Sequence, residues 1–280
     1  MKIKITSDST CDLSPALLQQ YDITLQPLCV VKNGINYRDG VDITPADIFA
    51  HVAAGGSLCS TSAVNIGEYQ ELFSRFAGEY DAVIHINIGS GFSTCYQNAC
   101  VAAQGFDNVR VIDSKNLSTG QGHLVIAACK YAAELADLDE ICEKLEDLTG
   151  RVEASFLLDR LDYMVKGGRC SSVVALGANL LNLKPCIEVR DGKMQVVKKY
   201  RGSYEKCLAN YVKDRLNARE DIQRDLLFLT YTTVTDVCHK AVTDAIGTYG
   251  HFEQFAETTA GCTVSCHCGP NTLGILFVRK

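Results

Sequence analysis

The apolar positions of this chain change period repeatedly, and that alternation predicts an α/β protein. Lys2 to Thr6 and Ile23 to Val31 read as strands, separated by a helix that Ser14-Pro15 starts and that runs through Gln20. Gly34 to Tyr37 with the Arg38-Asp39-Gly40 turn gives a short excursion, and Thr44-Pro45 opens a helix to Ala54. Gly55-Gly56 breaks it, and Ser57 to Ser62 reads as a hydroxyl-rich loop before a helix from about Gly67 to Phe76. Ala82 to Ile88 is short, apolar and β-branched, the pattern of a buried strand. After Gly89-Ser90-Gly91, Ser93 and Thr94 stand as N-cap residues for a helix carrying Tyr96, Ala99, Cys100 and Ala103 on one face. Val109 to Ile112 is the next strand, ending at Asp113-Ser114, and Ser118-Thr119-Gly120 precedes an apolar helix from Leu124 to Ala136. Strands and helices in alternation imply a mainly parallel sheet, with Asp8, Ser90 and Asp113 at its C-terminal edge.

Leu138 to Leu148 reads as a helix, and Thr149-Gly150 as a boundary between an N-terminal α/β domain, 1–150, and a C-terminal one, 151–280. The second half opens with a strand, Val152 to Leu157, and a helix from Arg160 to Lys166 stopped by Gly167-Gly168-Arg169. Val173 to Leu181 reads as a small-residue helix. Asp191-Gly192 between Ile187–Val189 and Met194–Val197 signals a hairpin, with Arg201 close behind. Helices over Tyr204–Ala218 and Val237–Gly247 follow, with strands at Leu226–Tyr231, Phe252–Ala256 and Leu273–Val278. Cys266 to Asn271 reads as a turn before the last of these.

At 280 residues the length fits two domains. A net charge of −6 argues against a nucleic-acid surface, which needs a clustered basic footprint. No apolar run approaches the roughly 20 residues of a membrane span, and Met1 leads straight into a strand pattern, so a cytoplasmic location is expected. The 14 cysteines are scattered through strands and helices, as small buried hydrophobes would be. Cys262, Cys266 and Cys268 flank His267, but no second cluster supplies remaining zinc ligands, and no metal is expected.

The stretch Asp81 to Ala103 carries the clearest chemistry. A strand, a glycine turn and a hydroxyl-capped helix present amides and hydroxyls to the oxygens of a phosphate or carboxylate. Gly89-x-Gly91 with Asp113 also resembles part of a dinucleotide fingerprint, although Thr94 replaces its third glycine. Hydrolysis would pair Ser93 with His267 as base, but the G-x-S-x-G spacing is missing and no acid is assigned. A nucleotide-dependent or hydrolytic enzyme at this strand edge stays open as an alternative, beside a lipid-sensing regulatory module.

In order and spacing, the chain resembles the DegV family, which includes the fatty-acid-binding subunits of bacterial fatty-acid kinase. The similarity rests on Ser7-Asp8-Ser9 with Asp12-Leu13, Thr61-Ser62, Phe92-Ser93 with Tyr96-Gln97 and Ala99, and Val111-Ile112-Asp113-Ser114. It continues through Gly167-Gly168-Arg169, Leu181-Asn182 with Lys184-Pro185, Asp191-Gly192, Arg201, and His267 with Gly269-Pro270. The resemblance implies two α/β domains with a long-chain fatty acid held between them and no further cofactor. Thr61, Ser93 and His267 would hold the carboxylate, with Ser62 and Thr94 in the surrounding loops. Arg169 and Arg201 match arginines at the rim, where an ATP-dependent kinase subunit and its phosphates would be met. The chain itself would be a carrier rather than an enzyme, with transient membrane contact for loading. Thr94-Cys95, Ala63-Val64, Cys268 and Asn271 depart from the family's usual Gly-Thr, Gln-Pro, Thr and Gly, while the three carboxylate residues are retained.

Overall fold

The structure is a computed structural model, and it describes residues 1–175 and 183–280. Strand β1 (Ile3–Asp8) leads to helix α1 (Pro15–Gln20), where Pro15 stands in the first turn and Ser14 Oγ accepts from Leu17 N at 3.4 Å. The single strand expected over Ile23–Val31 is two. β2 (Thr24–Gln26) lies beside β1, whereas β3 (Cys29–Lys32) turns away to pair with β4 (Ile35–Arg38). Pro27 lies between them without an N–H for a ladder, and the next amide, Leu28 N, is taken by Ser9 Oγ at 3.1 Å.

Helices α2 (Pro45–Ala53) and α3 (Ile66–Ala77) both begin in reciprocal caps, Thr44 with Asp47 and Asn65 with Glu68. Between them lies β5 (Ser60–Ser62). β6 (Ala82–Asn87), α4 (Cys95–Ala103) and β7 (Val109–Asp113) follow. Helix α5 (Thr119–Glu134) starts five residues before the expected Leu124. Its first turns are Thr119, Gly120, Gln121, Gly122 and His123, all buried, so polar and small residues conceal the helical period there. α6 (Leu138–Thr149) precedes β8 (Val152–Leu157).

Next come α7 (Asp162–Gly167) and α8 (Ser171–Val174). The helix expected to Leu181 is described only through α8, and the remainder, with the Leu181-Asn182 pair, lies outside the described residues. β9 (Leu183–Arg190) and β10 (Lys193–Arg201) form the expected hairpin, with Asp191 at φ 49° and Gly192 at φ 70°. Its tip packs onto the glycine turn after β6: a Cβ on Gly91 would stand 2.3 Å from the Gly192 carbonyl oxygen. The remaining elements are α9 (Tyr204–Leu216), β11 (Leu226–Tyr231), α10 (Asp236–Tyr249), β12 (Gln254–Thr259), α11 (Cys262–Cys268) and β13 (Leu273–Val278).

The described residues form three sheets. β2-β1-β6-β7 is parallel throughout, as the strand-helix alternation predicts, and β4-β3-β5 is antiparallel. β10-β9-β8-β13-β11-β12 is antiparallel except between β11 and β12. One continuous apolar cluster joins the two larger sheets, from Ile5, Phe73 and Ile84 to Ala154, Phe156 and Leu276. α5 packs against both of them, touching β1, β6, β8 and β13. A separate cluster, including Tyr211, Leu229 and Phe277, holds α9 and α10 on the other face of the six-stranded sheet.

Candidate functional site

Two of the expected site residues stand on elements other than those expected. Thr61 lies in β5 opposite Val30, because the segment read as a loop completes the small sheet at residues 60–62. His267 lies in α11 rather than in a turn, and the turn begins only at Gly269. Every residue of α11 except His267 is buried, so small, sulfur-bearing and hydroxyl side chains give no amphipathic period to read. The helix is fixed at its N-terminus by two distant carboxyl groups. Asp12 Oδ1 accepts from Gly261 N at 2.8 Å, and Asp39 accepts from Cys262 N at 2.8 Å and Thr263 N at 3.0 Å. Ser9 Oγ donates to Asp39 and Ser118 Oγ to Asp12. Burial, opposed by these donors and reinforced by nearby Asp39, pushes the Asp12 carboxyl up to about 8.

That anchoring sets His267 Nε2 2.8 Å from Thr61 Oγ1, joining residues 206 positions apart. Gly167 makes room for the ring, since a Cβ there would stand 2.2 Å from His267 Nδ1, and Nδ1 itself has no hydrogen-bond partner among the described residues. Burial, with the Arg169 guanidinium adding to it, lowers the imidazole to about 4, so the ring is neutral at pH 7. Ser93 Oγ accepts from Cys95 N at 3.2 Å and donates to Cys95 Sγ at 3.1 Å. Ser93 rather than Thr94 therefore makes the side-chain contact at the start of α4; Thr94 is the N-cap by position, makes no capping bond and is exposed.

Thr61, Ser62, Ser93, Arg169 and His267 line one open cleft, with about 550 Å³ of empty space when the solvent at its mouth is included. Its walls are apolar, with Leu28, Ile88, Phe92, Met164 and Met194. Leu117, Val264 and Cys268 also line a second, neighbouring space against the six-stranded sheet, bounded by Ala154, Phe156 and Leu276. At the rim Arg169 Nη1 donates to Gly167 O at 2.8 Å and Nε to Phe92 O at 3.4 Å. Arg201 is exposed at the end of β10, seven residues beyond Met194, and the structure does not bring it to the cleft with Arg169.

Asp8 does not face the strand edge as a free carboxylate. It is wholly buried and accepts from Tyr69 OH at 2.7 Å, Asn87 Nδ2 at 3.0 Å and Ile88 N at 2.9 Å, with His85 Nε2 at 3.3 Å. This network ties β1, β6 and α3 together under the loop that carries Ser93, and the sequence pattern revealed none of Tyr69, His85 or Asn87. Asp113, the ribose candidate of the dinucleotide reading, accepts from Ser90 N, Ser90 Oγ and Lys115 N, closing its own turn. The hydrolase reading meets a similar obstacle, because His267 Nε2 is paired with Thr61 and Ser93 with Cys95. Cys262 and Cys266 pack beside Val30, Ile43 and Ile48, whereas Cys268 lines the cleft with its thiol pushed up to about 12 by burial. Among the described residues no group of three His, Cys, Asp or Glu side chains is arranged to hold a metal ion, and no helix is long and apolar enough to cross a membrane.

Comparison with known proteins follows the same lines. DegV domain-containing proteins of Clostridium acetobutylicum and Caldanaerobacter subterraneus subsp. tengcongensis are 31% and 30% identical over 283 positions, covering 100% of this chain and 99% of each relative. A fatty-acid-binding DegV family protein from Thermus thermophilus superposes at a TM-score of 0.92 with 27% identity, covering 100% of both chains. A stearic-acid-binding protein from Eubacterium ventriosum superposes at 0.86 with 25% identity, covering 99% of this chain and 98% of that one. The sequence model of the DegV family, described as a family of uncharacterised proteins, matches residues 2–280, and this chain belongs to that family.

Proposed function

We propose that this chain binds a long-chain fatty acid, with the carboxylate at Thr61, Ser93 and His267 and the acyl chain in the apolar space behind them. The observation that carries this reading is one cleft that combines Thr61, Ser93 and His267 with apolar walls and shares Leu117, Val264 and Cys268 with a second apolar space beside it. A buried carboxylate needs donors: the Thr61–His267 pair has one proton to offer it, and Ser93 offers another by turning its hydroxyl from Cys95 Sγ to the ligand. Each buried methylene adds about 0.8 kcal/mol, so the chain rather than the head group supplies most of the affinity. Ser62 at the mouth and Thr94 on the adjoining loop complete the head-group surroundings. The fatty-acid ligands named for the Thermus and Eubacterium relatives support the same ligand class.

On this reading the protein is a cytoplasmic carrier of two domains, 1–150 and 151–280. It takes its ligand from the membrane by transient contact and presents the carboxyl group to a separate ATP-dependent kinase for acyl-phosphate formation. Arg169 at the rim and Arg201 on β10 are the cations we assign to the kinase and its phosphates. A neutral His267 bonded to Thr61 suits a binding role better than that of a general base. The test is uptake by delipidated protein. A long-chain fatty acid should bind, and Ser93→Ala should weaken it about tenfold in calorimetric titration, the usual scale for losing one charge-assisted donor. Protein that carries no lipid by mass spectrometry and takes none up would overturn the proposal.

A further inference from the structure

One side chain in the cleft is left without an explanation by head-group binding. Thr263 is only 5% exposed and lines the cleft, and its Oγ1 is buried without a hydrogen-bond partner among the described residues. The large majority of buried side-chain polar atoms are satisfied, so an orphan hydroxyl on a residue that lines the cleft marks a missing partner. Thr263 stands four residues before His267 on α11, which puts the two on one helix face with Cβ atoms about 5–6 Å apart. The missing partner therefore belongs near the carboxyl end of the ligand, one helical turn from the imidazole.

Charge decides what that partner is. The backbone N–H of Thr263 already donates to Asp39 Oδ2 at 3.0 Å, and Asp39 takes Cys262 N and Ser9 Oγ as well, acting as an acceptor toward all three. A ligand carboxylate drawn to Thr263 would lie beside that second carboxylate in a poorly solvated site, where like charges repel strongly. Thr61, Ser93 and His267 provide for the carboxylate elsewhere. A neutral hydroxyl meets no such repulsion, and it accepts from Thr263 Oγ1 or donates to it. An unsubstituted methylene at the same place leaves the threonine hydroxyl dry and unpaired. Sites built to bond a ligand hydroxyl reject the analogue that lacks it for this reason.

We propose that Thr263 is a specificity-determining residue, and that the cleft prefers fatty acids bearing a hydroxyl close to the carboxyl end; this rests on the fatty-acid reading above. Calorimetric titration of the delipidated full chain with hexadecanoic acid and with 3-hydroxyhexadecanoic acid tests it. Wild-type protein should bind the hydroxy acid about tenfold more tightly. Thr263→Val, close in volume but without the hydroxyl, should lose that preference and bind hexadecanoic acid at least as well as before. Thr263→Ser keeps the hydroxyl and should keep the preference, which preserves a readout if the valine variant folds poorly. Equal affinities in the wild type, as expected if only water meets Thr263, or a preference that survives in Thr263→Val, would overturn the inference. Failure of the wild type to bind either acid would instead overturn the fatty-acid reading itself.

Discussion

His267 shows how much one side chain can draw from its surroundings. Desolvation, with Arg169 adding to it, brings the ring from an ordinary value near 6.5 to about 4. Between those two values the unfolded chain holds a proton that the folded chain lacks, so this residue's share of stability falls as pH drops through the window. In urea unfolding, the stability difference between wild type and His267→Asn should shift against the wild type by up to about 3 kcal/mol from pH 7 to pH 4. His123 is lowered in the same way but is common to both proteins, so it leaves the difference untouched. Asp12 has the opposite sign. Its carboxyl is raised to about 8, so the stability it contributes is present at acid pH and lost as pH rises through that value. At this scale the sequence was only partly legible. Thr61, Ser93 and His267 were each recognisable as polar residues in a family-like context, but Thr263 and Asp39 were not. The role of Asp39 is to accept amide protons from residues more than 220 positions further on, and no local pattern encodes that.

At the scale of elements, legibility followed the strength of the apolar period. β6, β8, β11 and β13 are near-continuous apolar runs, and their expected and observed limits agree to within about one residue. β5 and α11 were hidden for the same physical reason: each is short and rich in small polar or sulfur-bearing residues, and tertiary contacts rather than intrinsic preference hold it. α11 makes this testable, because its own N-cap is Gly261, which contributes no side chain, and Asp39 performs the capping. Asp39→Ala leaves two buried amides unpaired and should destabilise the protein by about 2–4 kcal/mol. Because the same helix carries His267, fatty-acid affinity should fall together with the melting temperature, and a variant that loses stability while keeping full affinity would contradict the coupling.

At the scale of the whole molecule, the two larger sheets share one apolar cluster, to which Leu117, Phe156, Val264 and Leu276 around the cleft and its neighbouring space belong. A ligand lying there replaces empty space with packed methylenes in the middle of the fold. Ligand binding to the folded state alone should therefore raise the melting temperature of delipidated protein by about 5 °C or more at a hundredfold excess over Kd. Differential scanning calorimetry with and without the fatty acid checks this. The sequence forecast the parallel sheet and the alternation of elements, since both are written in local patterns. It did not disclose that β10-β9-β8-β13-β11-β12 form one sheet, because that order depends on pairings between distant strands.

That strand order also has a consequence for how the protein is made. β13 lies between β8 and β11, so residues 273–278 fill the centre of a sheet whose other five strands leave the ribosome first. Until they emerge, β8 and β11 each keep an open flank, and α11, with one half of the Thr61–His267 contact, has only just appeared. On the fatty-acid reading, a chain without residues 273–278 lacks the strand that joins β8 to β11 and should not capture lipid.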